Sequence, residues 1–301
     1  MNQTTQTLTY LRPEHLARIR NLHLWAKHIV EGMNVGVHRS PYHGFSAEFA
    51  EYRPYQPGES TRMIDWRKYA KSDATVVRLF EDETNLFAHL LLDTSASMAF
   101  HSPQYASKYA FASILSTSLA WILVRQRDAV GFAAFNESVR VLLSPRSTNV
   151  QLRTIIGQID RLTPTGGTRC GAAMDALAAR LRKRGLCVVV SDLLDTVDDI
   201  KHGLRHLRFK RQDVIVLWVR DPLEMAFAHD APLRLRDMES GEQLHLDPRI
   251  AAEHYNANMA QHALEIESVC RDLQVDLVTV GTDEPFEKVL SRIMQKRKRL
   301  Y

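Results

Sequence analysis

The sequence predicts an α/β protein: a doubly wound, mostly parallel sheet with helices on both faces and one antiparallel edge strand. Three observations carry this. From Asn85 onward, short apolar runs alternate with helical periodicity, the pattern of β-α-β winding. The stretch Asn85 to Met98, NLFAHLLLDTSASM, ends its apolar run in Asp93 and then alternates Ser95 and Ser97 with small residues. That is a buried strand feeding a polar loop at its carboxyl end. Finally, Asn136-Glu137-Ser138 joins two apolar runs. So short a link permits an antiparallel hairpin, from which one reversed edge strand is expected.

In chain order, Pro13 to Glu31 reads as an amphipathic helix with Leu16, Ile19, Leu22 and Trp25 on one side. Gly32 to Gly44 is irregular, and the segment around Pro54, Pro57 and Gly58 reads as a loop with turns. Thr75–Phe80 is a short strand. Strand Leu86–Leu92 is followed by helix Gln104–Arg125, strands Ala129–Phe135 and Val139–Leu143, and helix Val150–Leu162. The turn-rich Thr163-Pro-Thr-Gly-Gly-Thr168 opens a helix over Cys170–Arg184. Strand Leu186–Val190, helix Val197–Leu207 and strand Val214–Val219 come next. Ala231–Leu246 reads as an inserted hairpin, Pro248–Asp272 as a long helix, Val275–Val280 as the last strand and Pro285–Lys298 as the closing helix. The expected organisation is an N-terminal extension, 1–85, and an α/β domain, 86–301, with its insertion near 231–246.

The composition bounds the function. The 301 residues suffice for one large or two modest domains, and a formal charge of +4 is mild. Basic character gathers in Gln295-Lys-Arg-Lys-Arg299, which makes nucleic-acid binding a reading to weigh, though not the favoured one. Three widely spaced cysteines, Cys170, Cys187 and Cys270, argue against a disulfide framework and for a reducing compartment. His202 and His206 share a helical face, which reads as a solvated surface. No apolar core marks the first twenty residues as a signal peptide. The longest uncharged run, Tyr109 to Val124, carries Ser113, Ser116, Thr117 and Ser118 and falls short of the roughly twenty apolar residues a membrane span needs. A cytoplasmic protein without a membrane span is expected.

The chemistry concentrates at strand ends. Asp93, Ser95 and Ser97 are hard oxygen donors suited to Mg²⁺. Thr168 stands in Gly-Gly-Thr before a helix, and Asp192 follows strand Leu186–Val190; in open α/β sheets ligands bind at the carboxyl ends of the strands. Singly, such residues are helix and turn caps. Enzyme chemistry finds less support. An aspartyl phosphatase needs a second carboxylate two residues after Asp93, where Ser95 stands, and Gly166-Gly-Thr168-Arg-Cys170 lacks the lysine of a P-loop. A metal-dependent phosphohydrolase is therefore the weakest alternative.

These motifs carry a resemblance. Asp93-x-Ser95-x-Ser97 after a hydrophobic strand resembles the metal-ion-dependent adhesion site (MIDAS) of von Willebrand factor A domains. Arg53-Pro-Tyr55-Gln-Pro57-Gly58-Glu59-Ser-Thr-Arg62-Met-Ile-Asp65-Trp66-Arg67 resembles the signature of the bacterial DUF58 family, whose members carry such a domain. The two matches cover roughly Phe45 to Asp195. The resemblance implies a von Willebrand A-like three-layer fold. It also implies a divalent cation (Mg²⁺, or Mn²⁺ or Ca²⁺) held by Asp93, Ser95, Ser97, Thr168 and Asp192, with Asp93 at a solvent-facing strand end. The implied role is that of a non-enzymatic adaptor whose protein partner supplies an acidic side chain to the metal, in company with a MoxR-type AAA+ ATPase in protein assembly or metal insertion. Arg53, Tyr55, Gly58, Asp65, Trp66 and Arg67 would either dock the extension, with Trp66 buried, or meet the partner.

Overall fold

The computed structural model describes residues 22–32, 47–56, 61, 64–72, 74–82, 86–225, 233–236, 243–246 and 248–299. Two compact units share the chain, one comprising Arg39–Leu86 and the other the remainder.

In the main unit, six strands lie in the order β10-β7-β6-β3-β4-β5. They are β3 (Phe87–Asp93), β4 (Ala129–Phe135), β5 (Val139–Arg146), β6 (Gly185–Ser191), β7 (Gln212–Arg220) and β10 (Asp276–Gly281). All neighbours are parallel except β4 and β5, so the reversed edge strand is where the short Asn136–Ser138 link requires it. Every residue of β4 and β6 is buried, as expected of strands covered on both faces. The central strand β3 delivers Asp93 to the middle of the sheet's carboxyl edge.

Helices cover both faces. Against one lie α5 (Cys170–Ala178), α6 (Val197–Phe209) and α8 (Pro248–Asp272), whose Met174, Ile200, Leu204 and Ile266 share a core with Leu91, Val189, Val216 and Trp218 of the sheet. Each such buried aliphatic side chain contributes roughly 1.5–3 kcal/mol. Gly171 and Gly203 set the α5–α6 spacing. A Cβ on Gly203 would lie 2.8 Å from the Gly171 carbonyl oxygen, and one on Gly171 would collide with the Asp199 carbonyl. On the other face, α3 (Lys108–Arg125) is buried along most of its length, and α1 (Leu22–Gly32) packs against it. Also on this side are α4 (Asn149–Arg161) and α9 (Phe286–Arg299), with Phe111 and Phe286 stacked at 4.3 Å.

Two expectations change. The expected helix over Cys170–Arg184 stops at Ala178. Its continuation is needed to bring buried Leu181 into the core and to enter β6 at Gly185. Of the segment read as a loop with turns, Arg53 and Pro54 end a strand, while Pro57 and Gly58 lie outside the described residues. In the smaller unit, β1 (Ala47–Pro54) pairs antiparallel with β2 (Val76–Asp82), and α2 (Trp66–Ser72) lies between them in sequence. Pro54 is tolerated because it is the strand's last residue in a two-stranded ribbon, where a missing N–H costs least.

The inserted hairpin is present, β8 (Leu233–Arg236) pairing with β9 (Gln243–Leu246). Residues 13–21 of the first expected helix, the irregular 33–44, and the side chains of Arg297–Arg299 lie outside the described residues. Among those described, no helix is long and apolar enough to cross a membrane.

Candidate metal centre

The first loop forms where β3 ends. Thr94 turns the chain, its N–H and its hydroxyl each donating to the Phe135 carbonyl at 2.7 Å. The Ser95 N–H then donates to Asp93 Oδ1 at 2.9 Å, an Asx turn. This places the hydroxyl oxygens of Ser95 and Ser97 3.1 Å apart at the start of a 3₁₀ turn, Ala96–Ala99.

The second loop, 163–168, is held to the first by two 2.9 Å backbone bonds, Thr165 N–H to the Thr94 carbonyl and Ala96 N–H to that of Gly166. Gly166 has φ 76°, the left-handed region that glycine enters without a Cβ penalty. Asn136 Nδ2 and Arg140 Nη1, from the β4–β5 hairpin, donate at 2.8 Å to the carbonyls of Thr165 and Thr163. Thr168 is half-buried at the end of this loop.

The third loop leaves β6. Ser191 donates its hydroxyl to Asp93 Oδ2 at 2.6 Å, and the Asp192 carbonyl accepts the Trp218 indole N–H at 2.8 Å. Asp195 Oδ2 accepts the Cys170 N–H at 2.9 Å, tying this loop to the start of α5 just beyond Thr168. The three loops carrying Asp93, Ser95, Ser97, Thr168 and Asp192 are therefore tied to one another.

Asp93 was expected at a solvent-facing strand end. Instead it is fully buried, its carboxylate bonded to the Ser95 N–H and the Ser191 hydroxyl. Burial, and secondly the charge of Asp192, push its pKa up to about 7, against the bonds from Ser191 and Ser95 that favour the charged form.

Asp192, 2 % exposed, has a cation that sequence reading missed. Lys108 Nζ lies 2.7 Å from Asp192 Oδ2 and 2.5 Å from Glu224 Oε1, and the lysine is itself fully buried. Burial opposes its charge, but the two carboxylates outweigh burial and hold its pKa above the usual lysine value. A signal for Lys108 was present: it is the first residue of α3, where the helix dipole disfavours a cation. Ser191 carried no such mark.

The donor set fits a small, hard dication. Adjacent oxygens in an octahedral Mg²⁺ shell lie about 3 Å apart, close to the Ser95–Ser97 spacing. Among the described residues, no cluster of three or more His, Cys, Asp or Glu has metal-holding geometry. A cation here would depend on the hydroxyls of Ser95, Ser97 and Thr168 and on water, with Asp93 and Asp192 as the carboxylates.

The signature residues belong to the smaller unit. Asp65 is buried and caps α2, its Oδ1 accepting the N–H groups of Arg67 (3.0 Å) and Lys68 (3.2 Å) and its Oδ2 the Tyr52 hydroxyl (3.2 Å). Trp66, expected buried, is 56 % exposed and meets Tyr69 edge-on at 5.9 Å. As the first residue of a seven-residue helix with no buried residue, it has no core to enter. Arg67 is exposed, Arg53 and Tyr55 are half-buried, and Gly58 lies outside the described residues.

The model of the family described as "Protein of unknown function DUF58" matches residues 51–265, a longer span than the motifs alone indicated. An uncharacterized protein of Mycobacterium tuberculosis is 26% identical over 294 residues, covering 95% of this chain and 91% of that protein. An aerotolerance-related membrane protein from Bacteroides fragilis superposes with a TM-score of 0.50 at 16% identity, over 71% of this chain and 99% of that one. The VWA domain of SpRpn10 gives a TM-score of 0.41 at 11% identity, over 69% and 95%. The chain belongs to the DUF58 family, and its main unit is a doubly wound, mostly parallel α/β sheet with one reversed edge strand.

Proposed function

We propose that this protein is a non-enzymatic, divalent-cation-dependent adaptor that binds a protein partner in the cytoplasm through Asp93, Ser95, Ser97, Thr168 and Asp192. The observation that carries the reading is an imbalance of buried charge at the sheet's carboxyl edge. Asp93 and Asp192 face each other as buried carboxylates, and the nearest cation, Lys108, is already shared between Asp192 and Glu224. A dication would balance the two aspartates, and when bound it would offer an open coordination position to an acidic side chain of the partner.

The residues divide the work. Ser95 and Ser97 present neutral oxygens at a spacing suited to neighbouring ligand positions, which leaves a bound ion electrophilic. Asp93 and Asp192 supply negative charge, and Ser191 and Lys108 orient them. The Asn136 and Arg140 bonds hold the loop that carries Thr168. The partner class implied by the family resemblance is a MoxR-type AAA+ ATPase engaged in protein assembly or metal insertion.

The test is a pull-down with tagged full-length protein in Mg²⁺, in EDTA, and with Asp93→Asn in Mg²⁺. We expect a partner retained only by the wild-type protein in Mg²⁺. The same proteins in all three lanes would remove the cation site as the recognition element and turn attention to Trp66 and the basic C-terminal segment.

A further inference from the structure

Lys108 has a consequence for which cation the site accepts. Its ammonium is fixed from two sides, by Asp192 Oδ2 at 2.7 Å and by Glu224 Oε1 at 2.5 Å. Glu224 is itself anchored: its carbonyl accepts the Tyr255 hydroxyl at 3.1 Å, and its Oε2 accepts the Asp221 N–H at 3.4 Å. One oxygen of Asp192 is thus committed to Lys108. The other accepts a 3.3 Å bond from the Leu194 N–H, weak enough to leave it available as a donor. Asp93 is held more tightly, its oxygens bonded to the Ser95 N–H at 2.9 Å and the Ser191 hydroxyl at 2.6 Å.

We propose that Lys108 is a positioning residue that holds Asp192 as a one-oxygen donor and thereby makes the site selective for a small octahedral dication, Mg²⁺ or Mn²⁺, over Ca²⁺. The proposal rests on the cation-site reading above. Mg²⁺ takes six oxygens at about 2.0–2.1 Å and keeps several waters. Ca²⁺ takes six to eight at about 2.3–2.6 Å and readily uses both oxygens of a carboxylate. A site whose two aspartates each have an oxygen engaged elsewhere, and whose remaining donors are hydroxyls, suits the smaller ion.

The experiment is calorimetric titration of the full-length protein with Mg²⁺ and with Ca²⁺, separately, for wild type, Lys108→Met and Leu207→Ala. Leu207→Ala truncates the buried core at the far end of α6 and controls for lost stability. We expect wild type and Leu207→Ala to prefer Mg²⁺ by at least about tenfold. In Lys108→Met both oxygens of Asp192 become available, and the preference falls toward parity. An equal preference in wild type and Lys108→Met overturns the proposal, as does an equal loss in Leu207→Ala. Should Lys108→Met fail to fold, a crystal structure of the Mn²⁺-loaded wild-type protein decides. One Asp192 oxygen on the ion with the other still on Lys108 Nζ supports the proposal, and both oxygens on the ion overturn it. If wild type takes up neither Mg²⁺ nor Mn²⁺, the cation-site reading itself fails and the proposal with it. Binding with unchanged selectivity rejects the proposal alone.

Discussion

Asp65 and Asp93 are both buried aspartates whose Oδ1 accepts the N–H two residues downstream, at 3.0 and 2.9 Å. Their surroundings are opposite. Asp65 sits at a helix start and collects two backbone N–H groups and the Tyr52 hydroxyl, all of which favour its charge. Asp93 has the Ser95 N–H and the Ser191 hydroxyl, but it faces the charge of Asp192 in a fully buried setting. The same local turn thus serves as a satisfied cap in one unit and as half of an opposed carboxylate pair in the other. The difference lies in what the rest of the chain brings alongside, and buried charge left unbalanced marks the functional candidate.

Removing the balancing cation is the strongest way to probe that contrast. Lys108→Met leaves buried Asp192 and half-buried Glu224 without this partner, and we expect a loss of about 3–5 kcal/mol by urea unfolding in EDTA. An unchanged midpoint would mean that the ion cluster contributes nothing to the assembly of the site.

The strand beneath the site gives the next effect. Burial pushes the pKa of His89, on β3, down to about 4. The unfolded chain takes up that proton near pH 6.5 while the folded one resists. Stability from this group is therefore full above about pH 6.5 and is lost as pH falls toward 4, by up to about 3 kcal/mol. His89→Gln should flatten this limb of the stability–pH curve. If the slope between pH 6.5 and 4 is the same in both proteins, His89 is not its source, and the carboxylates must be.

The smaller unit gives the smallest effects. Asp65→Ala removes the α2 cap and should cost about 1–2 kcal/mol. Trp66→Ala, at an exposed position, should cost less than about 0.5 kcal/mol. Neither should alter Mg²⁺ affinity. A Trp66 variant that melts like wild type but loses its partner would make the exposed indole a recognition element, and a loss above 2 kcal/mol would return it to a core.

The fold was legible because its signals are local. Continuous apolar runs such as Val188–Val190 specify buried strands, and the three-residue Asn136–Ser138 link dictated the reversed edge. The loops of the candidate site were legible for the same reason, each lying at the end of such a strand. The strand that ends at Pro54 was harder to see. The prolines of the segment read as turns, whereas the β1–β2 pairing that makes Ala47–Pro54 a strand depends on a partner more than twenty residues away. Trp66 was misjudged because a large aromatic suggests burial wherever an apolar surface exists to receive it, and α2 provides none.

By itself, then, the sequence determined the α/β class, the reversed edge and the oxygen donors at the strand ends, all of which follow from periodicity and turn chemistry over a few residues. Tertiary structure alone decided that Asp93 is buried and opposed by Asp192, that Ser191 orients it, and that Lys108 at the start of α3 meets Asp192 and Glu224. Charge balance and burial depend on distances between side chains far apart in the chain, and only the packing of strand ends against helix starts sets those distances.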